Sequence, residues 1–205
     1  MPEDQPFQDV LKGNICLSGG AKGADAQWGM NAGRDGQSVI HWSFEKAKVH
    51  VPEQEVVRLS QEQLDVADEH LKKANKTLKR YLSFHKPWII NLLRRNYYQV
   101  AWCQSLYAVG KFDPKGKVDG GTAWAVQMFL DLHPEGQFEP LSLYFYDQTS
   151  EQWFTWAGAW KALSDPPPKP QGIWAGIGSR DLSPKGKWAI RNLFGWFEET
   201  TLNTM

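Results

Sequence analysis

The sequence predicts an α/β fold, a mostly parallel sheet covered by helices. Three observations carry that expectation. A short apolar run, Ile15-Cys16-Leu17, breaks into glycines and then into a helix-compatible segment. A second β-rich run, Ser38–Phe44, follows within the roughly thirty residues of a strand–helix–strand unit. The grammar of strand, glycine turn and helix then recurs around Gly120-Gly121-Thr122 and Gly178-Ser179-Arg180. Such alternation is what parallel strands with helical crossovers require.

Residues 1–13 read as an irregular or short helical lead-in. The first strand covers about 14–17, and the helix beyond its glycines runs from 24 to about 32, stopped by Gly33, Asp35 and Gly36. The second strand is 38–44. His41 and Trp42 fall near its carboxyl end, where open α/β sheets place ligands; His41 reads first as a packing or hydrogen-bonding residue. After a loop at 46–53 the pattern is helical from 54 to about 82. Val56, Leu59, Leu64, Ala67, Leu71, Ala74, Leu78 and Leu82 recur every three or four residues opposite a charged, solvated face. Ser60 followed by Gln63 has the form of a capping box and marks a break between two helices.

Pro87 opens an amphipathic segment over 88–100 that carries Arg94, Arg95 and Asn96, a polar run that is either solvated or functional. The third strand is 105–110. A polar loop leads from it to Asp119-Gly120-Gly121-Thr122 and a helix from 123 to about 132. Residues 141–146 form a fourth strand and 153–156 a short edge strand. Pro166, Pro167, Pro168 and Pro170 make a stiff connector, a spacer within one domain because too few residues follow to build another core. The last strand, 173–178, ends in Gly-Ser-Arg, and Ser183-Pro184 caps a helix running to about 198.

At 205 residues the chain fits a single domain, 1–205, with a sizeable core. Lys plus Arg number 23 and Asp plus Glu number 23, so no global basic field serves a nucleic-acid backbone. Cys16 and Cys103 lie in apolar surroundings without Cys-x-x-Cys spacing, which reads as reduced core thiols and argues against a metal site. No apolar run is long enough to span a bilayer and nothing targets the chain elsewhere, so the expectation is a cytoplasmic protein without membrane contact. The eleven tryptophans read as packing residues, with Trp42 and Trp124 available to stack on a planar ligand.

The chemistry concentrates in the glycine turns. Gly19, Gly20 and Gly23 permit a tight turn and close approach of a ligand, with the amides of the following helix aimed at an anion. The spacing is not Gly-x-Gly-x-x-Gly, and an ordinary strand-to-helix turn is the competing reading. Gly178-Ser179-Arg180 brings a hydroxyl and a guanidinium to one point, and arginine can fork to phosphate oxygens while helix amides take the others.

Together Ser18-Gly19-Gly20-Ala21-Lys22-Gly23-Ala24-Asp25, Gly120-Gly121-Thr122 and Gly178-Ser179-Arg180 resemble the SLOG superfamily of Rossmann-like proteins, with its DprA-like, LOG-like and molybdenum-cofactor-carrier-like branches. The resemblance implies a Rossmann-like three-layer sandwich with a long helical insertion at about 54–82. In such relatives the Gly-Ser-Arg strand usually opens the domain; here it comes last, which implies a circular permutation that sets the strand 173–178 beside 15–17 in one sheet. Carried over residue by residue, the resemblance makes Ser18, Gly19, Gly20, Lys22, Gly23 and Asp25 the first phosphate-facing turn. Gly120, Gly121 and Thr122 become the second, Gly178, Ser179 and Arg180 the third, and Asn96 a looser polar match. It implies a nucleotide or a molybdopterin-like ligand, or another phosphorylated small molecule, held by a carrier or sensor, and related folds often dimerise through helices.

The LOG-like branch places a catalytic glutamate just after a Pro-Gly-Gly-x-Gly-Thr turn. Here Asp119-Gly120-Gly121-Thr122-Ala123-Trp124-Ala125-Val126-Gln127 has neither that proline nor that glutamate. Cleavage of an N-glycosidic bond needs a carboxylate near the ribose, and Asp25 or Asp119 would have to stand in. A nucleotide N-glycosidase or phosphoribohydrolase is therefore the second reading. A DprA-like partner of single-stranded DNA is the third, disfavoured by net neutrality and the lack of a basic aromatic stripe.

Overall fold

The computed structural model describes residues 13–82, 85–134 and 142–196. The lead-in, apart from Gly13, lies outside them. The first half of the sheet is laid down by β1 (Ile15–Ser18), α1 (Ala24–Arg34), β2 (Ser38–Phe44) and β3 (Val56–Leu59). Three helices follow, α2 (Gln61–Val66), α3 (Asp68–Leu78) and α4 (Pro87–Val100). The second half comprises β4 (Ser105–Gly110), α5 (Thr122–Leu132), β5 (Ser142–Asp147), β6 (Gln152–Trp156) and β7 (Trp160–Ala162). The chain then closes with β8 (Ile173–Gly178) and α6 (Pro184–Leu193).

The strands form one eight-stranded sheet in the order β3-β2-β1-β8-β4-β5-β6-β7. All pairs from β3 to β5 are parallel; β6 and β7 add an antiparallel margin. The architecture is α/β and Rossmann-like, with two cores separated by the sheet. Strand alternation divides the side chains between them. Ile15, Leu17, Leu106, Ala108, Ala175 and Ile177 face α4 and α5, while Cys16, Tyr107, Val109 and Trp174 face α1 and α6. Gly176 lets Trp28 of α1 lie against the sheet, since a Cβ there would stand 2.5 Å from the indole Cγ. The Trp28 indole N–H is satisfied by Ile177 O at 3.0 Å.

The C-terminal strand β8 sits between β1 and β4, in register with both. The proline connector makes this possible by leading the chain back from the β7 margin to the middle of the sheet. It is tied down as it goes: Tyr107 Oη donates to Pro168 O, and Gln37 Nε2 donates to Pro170 O.

Two segments depart from the sequence expectation. Residues 56–59 are not the start of a helix but strand β3, pairing with β2 from His41↔Val56 to Phe44↔Leu59. Val56 and Leu59 satisfy a helical spacing, yet consecutive β-branched residues favour a pleated strand, and the helix begins only at the Ser60–Gln63 capping box. The edge β-region is also larger than expected, because β7 extends the β6 hairpin. Helix α6 starts at the anticipated cap, with Ser183 Oγ accepting from Gly186 N at 3.0 Å, and ends at Leu193. Residues 197–198 of its expected span lie outside the described ones. No described helix is long and apolar enough to cross a membrane.

Candidate functional site

Parallel strands β1, β8 and β4 end together, and the loops that leave them enclose a cleft of about 650 Å³. This lies at the carboxyl edge of the sheet, where the strand order reverses between the β1–β3 half and the β4–β5 half. All three glycine turns reach it. The first contributes Ala21, Lys22 and Asp25, the second Asp119, Gly120, Gly121 and Thr122, and the third Gly178, Ser179, Arg180 and Asp181.

The first and third turns are locked face to face. Gly23, at φ 100°, is the contact point, and a Cβ there would collide with the carbonyls of Ser179 and Arg180. The Ala24 amide donates to Ser179 O at 3.1 Å, and those of Ala26 and Gln27 donate to Ala21 O and Gly23 O. The N-terminus of α1 is therefore largely committed to protein carbonyls rather than left for an anion. Ser18 is likewise internal: its hydroxyl, fully buried, donates to Gly176 O and lies 3.1 Å from Asp25 O. Gly20, at φ 62°, packs beside His41 and Val51 away from the cleft.

The N-terminus of α5 is different. Gly121 caps it without a side-chain hydrogen bond, so the amides of Thr122 and Ala123 have no intrahelical carbonyl to bind. Arg80, just beyond α3, holds the loop from behind by donating to Val118 O and Gly120 O at 2.6 and 2.9 Å. Asn96 Nδ2 reaches Gly121 O at 3.3 Å from the other side. The helical insertion thus serves the cleft by fixing its second turn.

Beneath the turns lies a buried ion pair. Arg95 Nη2 donates to Asp25 Oδ2 at 3.1 Å, Arg95 Nη1 donates to Gly19 O, and the Gly178 amide donates to Asp25 Oδ1 at 3.1 Å. Burial pushes the Asp25 carboxyl up to about 6, against the opposing pull of Arg95 and the amides of Gly178 and Ala21. Burial equally draws the Arg95 guanidinium below its ordinary value, opposed by Asp25. Gly19 is required here, since a Cβ would collide with Asp25, Arg95 and Gln99.

The rim is cationic and exposed, with Lys22, Lys111 and Arg180 lining the opening beside the acidic Asp119 and Asp181. The third turn is held by Gln148, which donates to Ser179 Oγ at 2.9 Å and Asp181 O at 3.1 Å and accepts from Ser183 N at 2.7 Å. Trp124 lines the cleft, as do Tyr81, Ile89, Leu92 and Leu93. Trp42 does not: it is buried in the core against Tyr98 and Trp102, and stacks on no cleft ligand. His41 is also buried, with Nε2 3.6 Å from Glu55 Oε2.

Sequence reading left Arg95 open as solvated or functional, and missed Gln99 as a cleft residue and Gln148 as the anchor of the third turn. The available signal was spacing: Arg95 and Gln99 stand one helical turn apart and bracket Asn96. Arg94, adjacent in sequence, points elsewhere, forking onto Asp68 at 2.7 and 2.8 Å. Compared with family models, with curated proteins and with solved structures, the chain has no significant match in any of the three.

Proposed function

We propose that the cleft binds a nucleotide or another phosphorylated small molecule, with its phosphate against the N-terminus of α5 and the rim cations Lys22, Lys111 and Arg180. The observation that carries this reading is the convergence of all three glycine turns on one cleft, at which α5 starts without a capping side chain. The helix dipole and first-turn amides without an intrahelical carbonyl favour an anion there. The Gly120-Gly121-Thr122 backbone permits close approach, and Arg180 supplies a forked donor. On this reading the protein is a carrier or sensor of SLOG type, and β8 between β1 and β4 is the placement its circular permutation requires.

A thermal-shift panel of nucleoside monophosphates, cyclic nucleotides, NAD and pterins tests it. A ligand-dependent rise in melting temperature that Arg180→Ala weakens is expected; a flat panel overturns the reading.

A second reading, N-glycosidic cleavage, draws on Asp25, whose raised carboxyl lines the same cleft. Against it, both Asp25 oxygens are already engaged by Arg95 and backbone amides. That engagement favours a clamp over an acid. Release of free base from a nucleotide, abolished by Asp25→Asn, would reverse the preference.

A further inference from the structure

Where α3 ends, the chain turns and sets an aromatic ring at the mouth of the cleft. Lys79 closes the helix in the left-handed region, at φ 51°. The Arg80 amide then donates to Asn75 Oδ1 at 2.9 Å, and the Arg80 guanidinium donates to Val118 O and Gly120 O. On the far side Leu82 packs against the core. Tyr81 is thus held between two anchored neighbours, yet it is 88% exposed, and it lines the cleft. Its backbone is fixed while its ring stands in solvent.

A single exposed apolar residue is ordinary on a protein surface, but several on the wall of one cleft are what a ligand site requires. Ile89 of α4 is half exposed, and it lines the same cleft with the half-buried Leu92 and Leu93. The other rings near this wall are not available to a ligand. Trp88 packs edge-on against Phe44, with centroids 5.3 Å apart, and does not line the cleft. Trp124 lines it, but at 4% exposure has almost no ring face to offer. The apolar wall is also tied to the second glycine turn, because Arg80, next to Tyr81, bonds to the segment that leads into α5. A molecule with its phosphate at α5 and a flat ring at its other end matches that arrangement.

We propose that Tyr81, with Ile89, Leu92 and Leu93 along the same wall, is the stacking platform for a heteroaromatic ring, so that the cleft takes phosphorylated ligands with a planar base in preference to a bare sugar phosphate. The inference rests on the phosphate-ligand reading, with the phosphate fixing one end of the molecule at α5. Stacking uses the π-face, which every base has, and tolerates differences between bases. Adenosine 5′-monophosphate is therefore a sufficient probe, and ribose 5-phosphate is the same anion without the ring.

Calorimetric titration of the full chain with these two ligands, repeated on Tyr81→Ala and Tyr81→Phe, tests it. The unmodified protein is expected to bind adenosine monophosphate about tenfold or more tighter than ribose 5-phosphate. Tyr81→Ala should weaken the nucleotide about tenfold and ribose 5-phosphate by less than about twofold, while Tyr81→Phe, which keeps the ring, should hold the nucleotide within about twofold. Because Tyr81 is exposed, neither substitution should lower the melting temperature. A nucleotide that binds no tighter than ribose 5-phosphate overturns the platform and leaves the phosphate reading standing. So does a nucleotide affinity untouched by Tyr81→Ala, or lost equally in Tyr81→Phe. A dimer of the unmodified chain in sedimentation that Tyr81→Ala dissociates, with nucleotide affinity unchanged, gives the ring to a protein contact and overturns the proposal. No binding of either ligand removes the phosphate reading with it.

Discussion

Arg95 Nη2 stands 3.1 Å from Asp25 Oδ2, with side chains only 8% and 6% exposed. Through this pair helix α4 is tied to the first glycine turn and, by way of the Gly178 amide on the same carboxylate, to the third. Removing one partner leaves the other charged in a low-dielectric site, which is the costly way to break a buried pair. Arg95→Met is therefore expected to lose about 3–5 kcal/mol of unfolding free energy at neutral pH. Urea denaturation measures it, and the loss should shrink toward pH 5, because an unpaired buried Asp25 escapes its penalty by taking a proton.

Two buried groups oppose each other in the acid limb of the stability curve. Asp25 titrates at about 6 in the fold, above the roughly 3.9 of an unfolded aspartate. Its contribution is fully present below the unfolded value and is lost as pH rises through about 6. For His41 burial, aided by Arg95, draws the imidazole down to about 4, below the unfolded value of about 6.5. Its contribution is present above that unfolded value and is lost as pH falls toward about 4. The unmodified chain should thus show a shallow profile between these limits. Asp25→Asn should become steadily more stable as pH rises across the window, and His41→Gln steadily less. Parallel profiles for both variants would contradict the assignment.

Helix α1 offers a paired test of packing against propensity. Alanine in place of an interior helical glycine ordinarily gains up to about 1 kcal/mol. At Gly33 the added Cβ meets only Val39, 3.9 Å away, so Gly33→Ala should stabilise by about that amount. At Gly29 the Cβ would collide with the His41 imidazole, which is fully buried. Gly29→Ala should cost about 1–3 kcal/mol despite the better propensity. Thermal unfolding of the two variants checks both signs.

Cleft substitutions should separate binding from folding. Arg180 is exposed, so Arg180→Ala should change stability by no more than about 0.5 kcal/mol while weakening a phosphorylated ligand about tenfold or more. Gln148→Leu acts at one remove by releasing its hydrogen bonds to Ser179 Oγ, Asp181 O and Ser183 N. It should weaken the same ligand and also lower the melting temperature, because the Ser183 amide and the Asp181 carbonyl lose a buried partner. Ligand titration beside differential scanning calorimetry distinguishes the two patterns.

What was legible in the sequence followed from how local each cause is. β2, β4 and β8 are runs rich in β-branched and aromatic residues bounded by turn residues, and the caps at Ser60 and Ser183 are contained within four residues, so these could be read directly. Val56–Leu59 could not, because a strand at the sheet edge is decided by its partner β2 and a four-residue run fits either period. The three glycine turns announced the site, but its floor did not announce itself. Arg95 reads equally well as a solvated residue on a polar helix face until Asp25, seventy positions away, is brought beside it. Trp42 illustrates the reverse: it lies near the correct strand end, yet its ring turns into the aromatic cluster of Tyr98 and Trp102. The orientation of a side chain at a strand end depends on that tertiary packing and leaves no trace in spacing.

On the proposed reading an anionic group sits at the start of α5. A crystal structure of the full chain soaked with the strongest ligand from the thermal-shift panel would locate it. Phosphate oxygens within hydrogen-bond distance of the Thr122 and Ala123 amides, with Arg180 or Lys22 closing over them, are the expected result. A phosphate seated elsewhere, with the α5 amides occupied only by water, would contradict it.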